Sequence, residues 1–310
     1  MSRVFSKAVI SGGTGFLGQA LAKSFLSEGV EVVVLTRNLV QKSSLYGRLV
    51  KWDAKTLDSW SSELDRADLL INLTGRSIDC RHTKRNKDLI LSSRIDSTKI
   101  LGEACSALND PPKVWMNAST ATIYEDIRGD VQPHDEFSDH FAKGFSEDVG
   151  REWEEVFFNH NCDGIRKIAL RISIVLGNNG GAFPVLRNFT KIGLGGKQGS
   201  GNQWISWLHI DDWVGIVWFL MSKNKIFGPV NLATPNPVTN SSFMLVMRRF
   251  FAPLGIGLPS PIWAVRFGTF FMRTAPDLVL KSRKLVSKVL LDFGYNFKHA
   301  NIKSAIKQLY

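Results

Sequence analysis

Cysteine is scarce in this chain. Cys80, Cys105 and Cys162 are the only three in 310 residues, and none falls in a CxxC or Cys/His ligand spacing. A disulfide framework and a structural metal site are therefore not expected, and a reducing, cytoplasmic setting fits. Long apolar runs are also missing. The longest lies near Trp213 to Met221, well short of the ~20 residues that a membrane span needs. The opening residues Met1 to Lys7 lead into glycines rather than into a long apolar core with a small-residue cleavage site, so no secretory signal is expected. The stretch Pro261 to Met272 is aromatic but interrupted by Arg266, and reads as an amphipathic helix. There is no internal repeat and no low-complexity segment. With 44% hydrophobic and 22% charged residues, the composition excludes disordered, collagenous and coiled-coil chains.

Acid is scarce in one half only. The formal charge is +11, yet residues 111–164 carry 4 basic and 12 acidic side chains. Residues 165–240 carry 8 and 2, and residues 241–310 carry 11 and 2. A basic excess raises the question of nucleic acid or membrane surface. Arg248-Arg249 with Lys281, Arg283, Lys284 and Lys288 make a basic stretch, but solvated helix faces account for it. No nucleic-acid partner is expected. The charge suits an anionic small molecule beside an anionic cofactor.

What is present is an alternation of short apolar strands and amphipathic helices. Ala8 to Ile10, Glu31 to Leu35, Asp68 to Leu73, Lys113 to Met116 and Ile165 to Ile174 read as strands. Residues 15–28, 85–108 and 146–159 read as helices, the first with Leu17, Leu21 and Phe25 four apart on one face. The pattern predicts an α/β Rossmann fold, a doubly wound parallel sheet covered on both sides. The expected division is a cofactor-binding core over residues 1–176, rejoined by a strand near 228–233. A smaller substrate-side and C-terminal domain follows over 177–310.

The first strand-to-helix turn reads Ser11-Gly12-Gly13-Thr14-Gly15-Phe16-Leu17-Gly18. Glycines at 12, 15 and 18 suit a tight turn, close approach to a pyrophosphate, and packing of helix on strand. The helix N-terminus adds free N–H groups and partial positive charge. The second strand ends Leu35-Thr36-Arg37. An NAD site usually places an acid there for the ribose 2′-hydroxyl. Arg37 suits a 2′-phosphate instead, so NADP(H) is the expected cofactor; the alternative is a solvated surface arginine. At the end of the third strand, Leu73-Thr74-Gly75 lets backbone pass close to the adenine and ribose.

These residues resemble the extended short-chain dehydrogenase/reductases. Ser92-Ser93-Arg94, Ser97-Thr98, Gly180-Gly181-Ala182 and Gly193 to Gly196 narrow the resemblance, as do the segment Gly199 to Asp212 (GSGNQWISWLHIDD) and Pro235 to Asn240. The branch is an atypical, epimerase-like one with an extra C-terminal domain, often labelled nucleoside-diphosphate-sugar epimerases. The resemblance covers nearly the whole chain, including Leu290 to Tyr295. It implies an NADP(H)-binding Rossmann fold whose cofactor contacts fall on Gly12 to Leu17, Thr36, Arg37, Leu73, Thr74, Arg94 and Ile174.

The superfamily's catalytic pair is a Tyr-x-x-x-Lys. One helical turn puts the proton-transferring phenol and the lysine that lowers its pKa on one face. Only four tyrosines exist here, and none has lysine four residues on. Alignment on Trp153-Glu154 puts Ser146 and Gly150 at the two positions. Thr120 occupies the Ser/Thr position, free to bond a substrate carbonyl or to cap the strand end. Tyr124 is the other candidate proton donor, with core packing as the alternative. Asp211 or Asp212 is expected to cap the following helix, and Glu154 to form a structural salt bridge. Two functions are carried forward. One is an NADP(H)-dependent oxidoreductase or epimerase-like enzyme acting on a small molecule, a nucleotide sugar being one candidate. The other is a non-catalytic NADP(H)-binding regulator, for example of cell division.

Overall fold

A computed structural model describes residues 5–39, 45–271 and 280–310; Met1 to Val4 and Met272, at the ends of two stretches read above, lie outside them. Seven parallel strands form the main sheet. They are β1 (Lys7–Ser11), β2 (Glu31–Thr36), β3 (Arg48–Lys51), β4 (Leu69–Asn72), β5 (Val114–Thr120), β6 (Arg166–Ile172) and, later in the chain, β10 (Gly228–Leu232). Their spatial order is β3-β2-β1-β4-β5-β6-β10. Near-continuous Val, Ile and Leu in the central strands reflect burial on both faces; Ala8 to Ile10, Val33 to Leu35 and Leu69 to Ile71 have no measurable exposure.

The helices cover the two faces. α1 (Phe16–Ser27) buries Leu21, Ala22 and Phe25, and α2 (Lys84–Ser106) buries Ile90, Ile100, Leu101 and Ala104. α3 (Phe145–Asn159) lies beside α2 and buries Trp153 and Phe157. The chain order then departs from simple alternation. After β7 (Ile174–Leu176) come α4 (Phe183–Lys191), β8 (Trp204–Ile205) and β9 (Trp207–His209). The apolar run at 213–221 forms most of α5 (Ile210–Ser222), which returns to the main core with Trp213, Ile216, Val217 and Leu220. β10 then closes the sheet edge against β6.

The remaining elements are β11 (Val238–Thr239), α6 (Asn240–Phe251), α7 (Ile262–Phe271), α8 (Lys288–Asp292) and α9 (Ile302–Gln308). A second, smaller core joins α4, α6 and α9 through Phe183, Phe243, Met247 and Ile306. Among the described residues, no helix is long and apolar enough to cross a membrane.

Strand β3 escapes the sequence pattern. Its four residues, Arg-Leu-Val-Lys, sit at the sheet edge with the leucine and valine only half-buried. Such a short edge strand carries too little apolar signal to stand out.

Candidate functional site

The sheet order reverses between β1 and β4. The chain leaves β1 toward β2 on one side, and β4 lies on the other. Ligands of doubly wound sheets bind at this crevice, at the carboxyl ends of the strands. The glycine turn sits there. Gly12 has φ +68°, and a Cβ on it would lie 2.8 Å from the carbonyl carbon of Leu73 and 2.9 Å from the Thr74 nitrogen. The turn therefore rests directly on Leu73-Thr74, and only glycine fits. Its N–H reaches back to the Leu35 carbonyl at 3.3 Å, which brings the Thr36-Arg37 end of β2 to the same place.

Helix α1 starts bare. Its N-cap is Gly15, no side chain caps it, and no acid stands in its first turn. Thr14 and Gly15 are exposed, while Phe16 and Leu17 are half-buried. The leading N–H groups and the positive end of the helix dipole thus face outward without a protein partner, an arrangement suited to an anion. Phe16 packs under the turn after β7, where Cβ atoms on Gly177 or Gly180 would fall 2.6 Å from its side chain. This contact explains the Gly180-Gly181 signature and brings the end of β7, which begins at Ile174, toward the glycine turn.

A buried polar network lies beneath. Ser11 Oγ donates to Asn72 Oδ1 at 2.8 Å, and the Thr74 N–H donates to the same oxygen at 3.0 Å. Asn72 Nδ2 donates to Asn117 Oδ1 at 2.8 Å and to Thr98 Oγ1 at 3.1 Å. Trp153 Nε1 donates to that same Thr98 hydroxyl at 2.9 Å. Three strands and two helices are pinned at the floor of the crevice by four polar residues in apolar surroundings. Sequence reasoning missed Asn72 and Asn117. Their signal was a lone asparagine just after an apolar run in each of two strands.

Two groups in the crevice lack the partners their burial demands. Thr74 Oγ1 is buried and makes no hydrogen bond. Leaving such a hydroxyl unpaired costs about 1–3 kcal/mol. Arg94, from α2, packs its guanidinium 3.1 Å from where a Cβ on Gly75 would be. It donates to the Ile90 and Arg76 carbonyls at 2.8 and 3.1 Å and lies 5.1 Å from the Trp153 ring centre. It has no carboxylate partner among the described residues, and burial pulls its pKa down to about 10. A desolvated cation without a counter-ion is an anion site in waiting. Arg37 stands exposed just past β2, with no partner among the described residues. Thr36 Oγ1 is turned into its own strand end, bonded to the Asn38 backbone.

At the neighbouring strand end, polar groups close on one another instead. Thr120 is the last residue of β5. Its hydroxyl accepts the Thr122 N–H at 3.1 Å and bonds the Thr122 hydroxyl, capping a short 3-10 turn over Ala121–Ile123. Gly150, at the lysine position, faces this turn. A Cβ there would lie 2.5 Å from Ile123 Cγ2 and 2.8 Å from Thr120 Cγ2. The space for a lysine is filled, so the loss goes beyond a missing charge.

Tyr124 lies in the core, only 1% exposed. Its hydroxyl donates to Asn231 Oδ1 at 2.9 Å and accepts from Arg171 at 2.7 Å, and its ring stacks on His134. Burial pushes its pKa up to about 12. The structure does not bring it together with the crevice residues. Arg171 also forks onto Glu154 at 2.8 and 2.9 Å, a buried pair that Ser119 completes. Glu154 is thus the structural salt bridge expected of it.

The C-terminal segment is tied to this end. Glu147, fully buried on α3, accepts from Lys281 at 2.5 Å and from Arg283 at 3.4 Å. The Ser282 N–H bonds Asp126 at 3.0 Å. Farther along, Asp212 accepts the Lys298 and His299 N–H groups at 2.8 and 2.9 Å and the Tyr295 hydroxyl at 3.1 Å. It anchors the tail rather than capping α5. The cap is His209, whose Nδ1 accepts the Asp211 N–H at 3.1 Å. His209, Asp211 and His299 bring three metal-type donors within 4.8 Å of one another, a grouping that no sequence spacing reveals. Nδ1 of His209 is occupied by its capping bond, and the site lies at the positive end of a helix, which disfavours a cation.

The crevice residues fit a dinucleotide. The cradle over Gly12, the uncapped α1, the orphaned Thr74 hydroxyl and the unpaired Arg94 each await an anionic or hydrogen-bonding ligand.

Comparison with known proteins agrees. The chain is 30% identical to an epimerase family protein of Staphylococcus haemolyticus, over 97% of this chain and 98% of that one. It is similar to the crystal structure of human epimerase family protein SDR39U1 with NADPH, with a TM-score of 0.83, 27% identity and 98% of each chain covered. It also resembles the nucleoside-diphosphate sugar epimerase of Corynebacterium glutamicum, with a TM-score of 0.76 and 27% identity, covering 97% of this chain and 57% of that one. Residues 260–309 match a domain of unknown function. Residues 8–233 match the NAD dependent epimerase/dehydratase model, and the chain belongs to that family.

Proposed function

We propose that this protein is an NADP(H)-dependent oxidoreductase or epimerase-like enzyme of the extended short-chain dehydrogenase type, acting on a small-molecule substrate. The observation that carries it is the set of unsatisfied polar groups at the β1/β4 crevice, with Arg37 and no acid at the position that sorts the cofactors and Arg94 packed against Gly75. When bound, the nicotinamide supplies a hydride donor or acceptor. Gly12 to Leu17 hold the pyrophosphate on backbone N–H groups. Arg37 and Arg94 balance phosphate charge, Thr74 and Gly75 border the adenosine half, and Ile174 borders the opposite side. The human relative with bound NADPH supports NADP(H) over NAD.

Thr120 is the group placed to touch substrate, because it ends β5 at the same edge of the sheet. It orients a substrate carbonyl or hydroxyl, sharing its hydroxyl with Thr122. Tyr124 is reassigned to the scaffold. An anionic substrate suits the basic C-terminal half, and a nucleotide sugar is one such compound. The test is a carbonyl and sugar-nucleotide panel, following NADPH oxidation. The expected result is turnover that Thr120→Val lowers by roughly 100-fold, the low end of what a positioned proton-handling group contributes. Tight NADPH binding with no turnover across the panel, unchanged by Thr120→Val, would favour the non-catalytic binding protein. The filled position at Gly150 is the observation on that side.

A further inference from the structure

Six exposed apolar side chains lie close together in the chain, on the loop before α7 and on α7 itself. Leu254 is 82% exposed, Ile256 63%, Leu258 62%, Ile262 49%, Trp263 73% and Phe267 63%. The loop that bears the first three is laced to the glycine-rich stretch after α4. The Leu258 N–H bonds the Gly193 carbonyl at 2.8 Å, and the Gly196 N–H bonds the Leu258 carbonyl at 3.1 Å. Ser260 and Lys197 are joined likewise at 2.9 Å. Trp263 and Phe267 follow on α7, one helical turn apart and therefore on one face. Scattered surface leucines need no explanation, but six exposed apolar residues within residues 254–267, an aromatic pair among them, mark a contact surface.

Charge identifies the partner. Across residues 183–203 and 238–271, which hold α4, α6, α7 and the loops that join them, the sequence has six basic residues and no acid. Lys197, whose carbonyl accepts the Ser260 N–H, is exposed, as are Lys191 at the end of α4 and Arg249 near the end of α6, and Arg248 bonds the Gly195 carbonyl at 3.1 Å. Protruding aliphatic tips contribute nothing to phosphate contact or base stacking, so nucleic acid uses only part of this surface. A lipid surface with anionic headgroups uses all of it: acyl chains take Leu254, Ile256, Trp263 and Phe267, and headgroups take the cations.

We propose that the C-terminal lobe docks peripherally on an anionic lipid surface, through the loop at 254–258 and the Ile262–Phe267 face of α7. The inference does not rest on the cofactor reading. It is tested by cosedimentation of the full chain with vesicles of phosphatidylcholine alone and of phosphatidylcholine mixed with phosphatidylglycerol, at low and moderate salt. Binding is expected on the mixed vesicles and not on the neutral ones. Partitioning should fall about tenfold or more in Trp263→Ala with Phe267→Ala, and about fivefold for each of Lys197→Ala and Arg249→Ala. NADPH affinity, read in parallel, should stay unchanged and report intact folding. No sedimentation with anionic vesicles at low salt would overturn the proposal. So would binding that both sets of substitutions leave intact, or binding to duplex DNA or an acidic peptide in place of vesicles.

Discussion

The two neighbouring strand ends of this protein are finished in opposite ways. At β1 and β4, buried or cationic groups are left open: the bare α1 terminus, Thr74 Oγ1, Arg94 and Arg37. At β5 and β6, most comparable groups are closed on other protein groups, with the buried Glu147 Oε2 an exception. Thr120 bonds Thr122, Tyr124 bonds Asn231 and Arg171, Arg171 bonds Glu154, and Gly150 abuts Ile123. An orphaned polar group is costly unless a ligand completes it, whereas a closed network stabilises the fold. The difference teaches that the two strand ends are separable in this fold: the glycine turn, Arg37 and Arg94 stand at one, whereas at the other the Tyr-x-x-x-Lys positions hold Ser146 and Gly150.

The largest effect expected is at the closed end. Glu154→Gln removes the counter-charge of a buried arginine, and breaking such a pair costs about 3–5 kcal/mol. Chemical denaturation should show that loss, while the variant, once folded, still binds NADPH. Unchanged stability would mean that Arg171 is satisfied without Glu154, and the contrast between the two ends would fail.

The open end is tested by Gly12→Val. The substitution puts a side chain into the Leu73 carbonyl at a backbone conformation that β-branched residues avoid. A ligand at 100 times its Kd stabilises by about 2.7 kcal/mol. That stabilisation by NADPH should appear as a rise in Tm for the parent protein and vanish for the variant. An equal rise in both would place the dinucleotide elsewhere.

A smaller effect concerns pH. Burial lowers the pKa of His134 and His209, the latter aided by neighbouring His299, so both are held neutral in the folded state. The unfolded chain then binds protons that the folded one does not. Their contribution to stability is complete above the ordinary histidine value of about 6.5 and is lost as pH falls below it. A Tm that declines from pH 7 to pH 5, less steeply in His134→Gln, is expected. A flat profile would show these imidazoles to be solvated.

Much of the open end was legible in the sequence because its requirements are local. A glycine where backbone must touch backbone, and an arginine where an acid is usual, can be read without knowing what lies opposite. The network beneath it was not: Thr98, Asn72 and Asn117 meet across 45 residues, and the single asparagines gave no spacing to detect. Nor was the closed end. At Gly150 the sequence showed a charge lost, but only packing shows that its space is filled by Ile123 and Thr120. Tyr124, close after Thr120 in the chain, read as a group that could face the substrate, with core packing as the alternative. Its partners Asn231 and Arg171 come from β10 and β6, and strand pairing alone brings them to it. Likewise His209, not an aspartate, caps α5, since both aspartates are drawn toward the C-terminal tail.

On the function proposed above, the crevice binds NADP(H) through Arg37 and Arg94. Calorimetric titration of the parent protein and of Arg37→Ala with NADPH and with NADH tests it most directly. The parent should prefer NADPH by about tenfold or more, about 1.4 kcal/mol for each factor of ten, and Arg37→Ala should bring the two affinities together by weakening NADPH alone. Equal affinity of the parent for both cofactors, or a preference that survives Arg37→Ala, would contradict it.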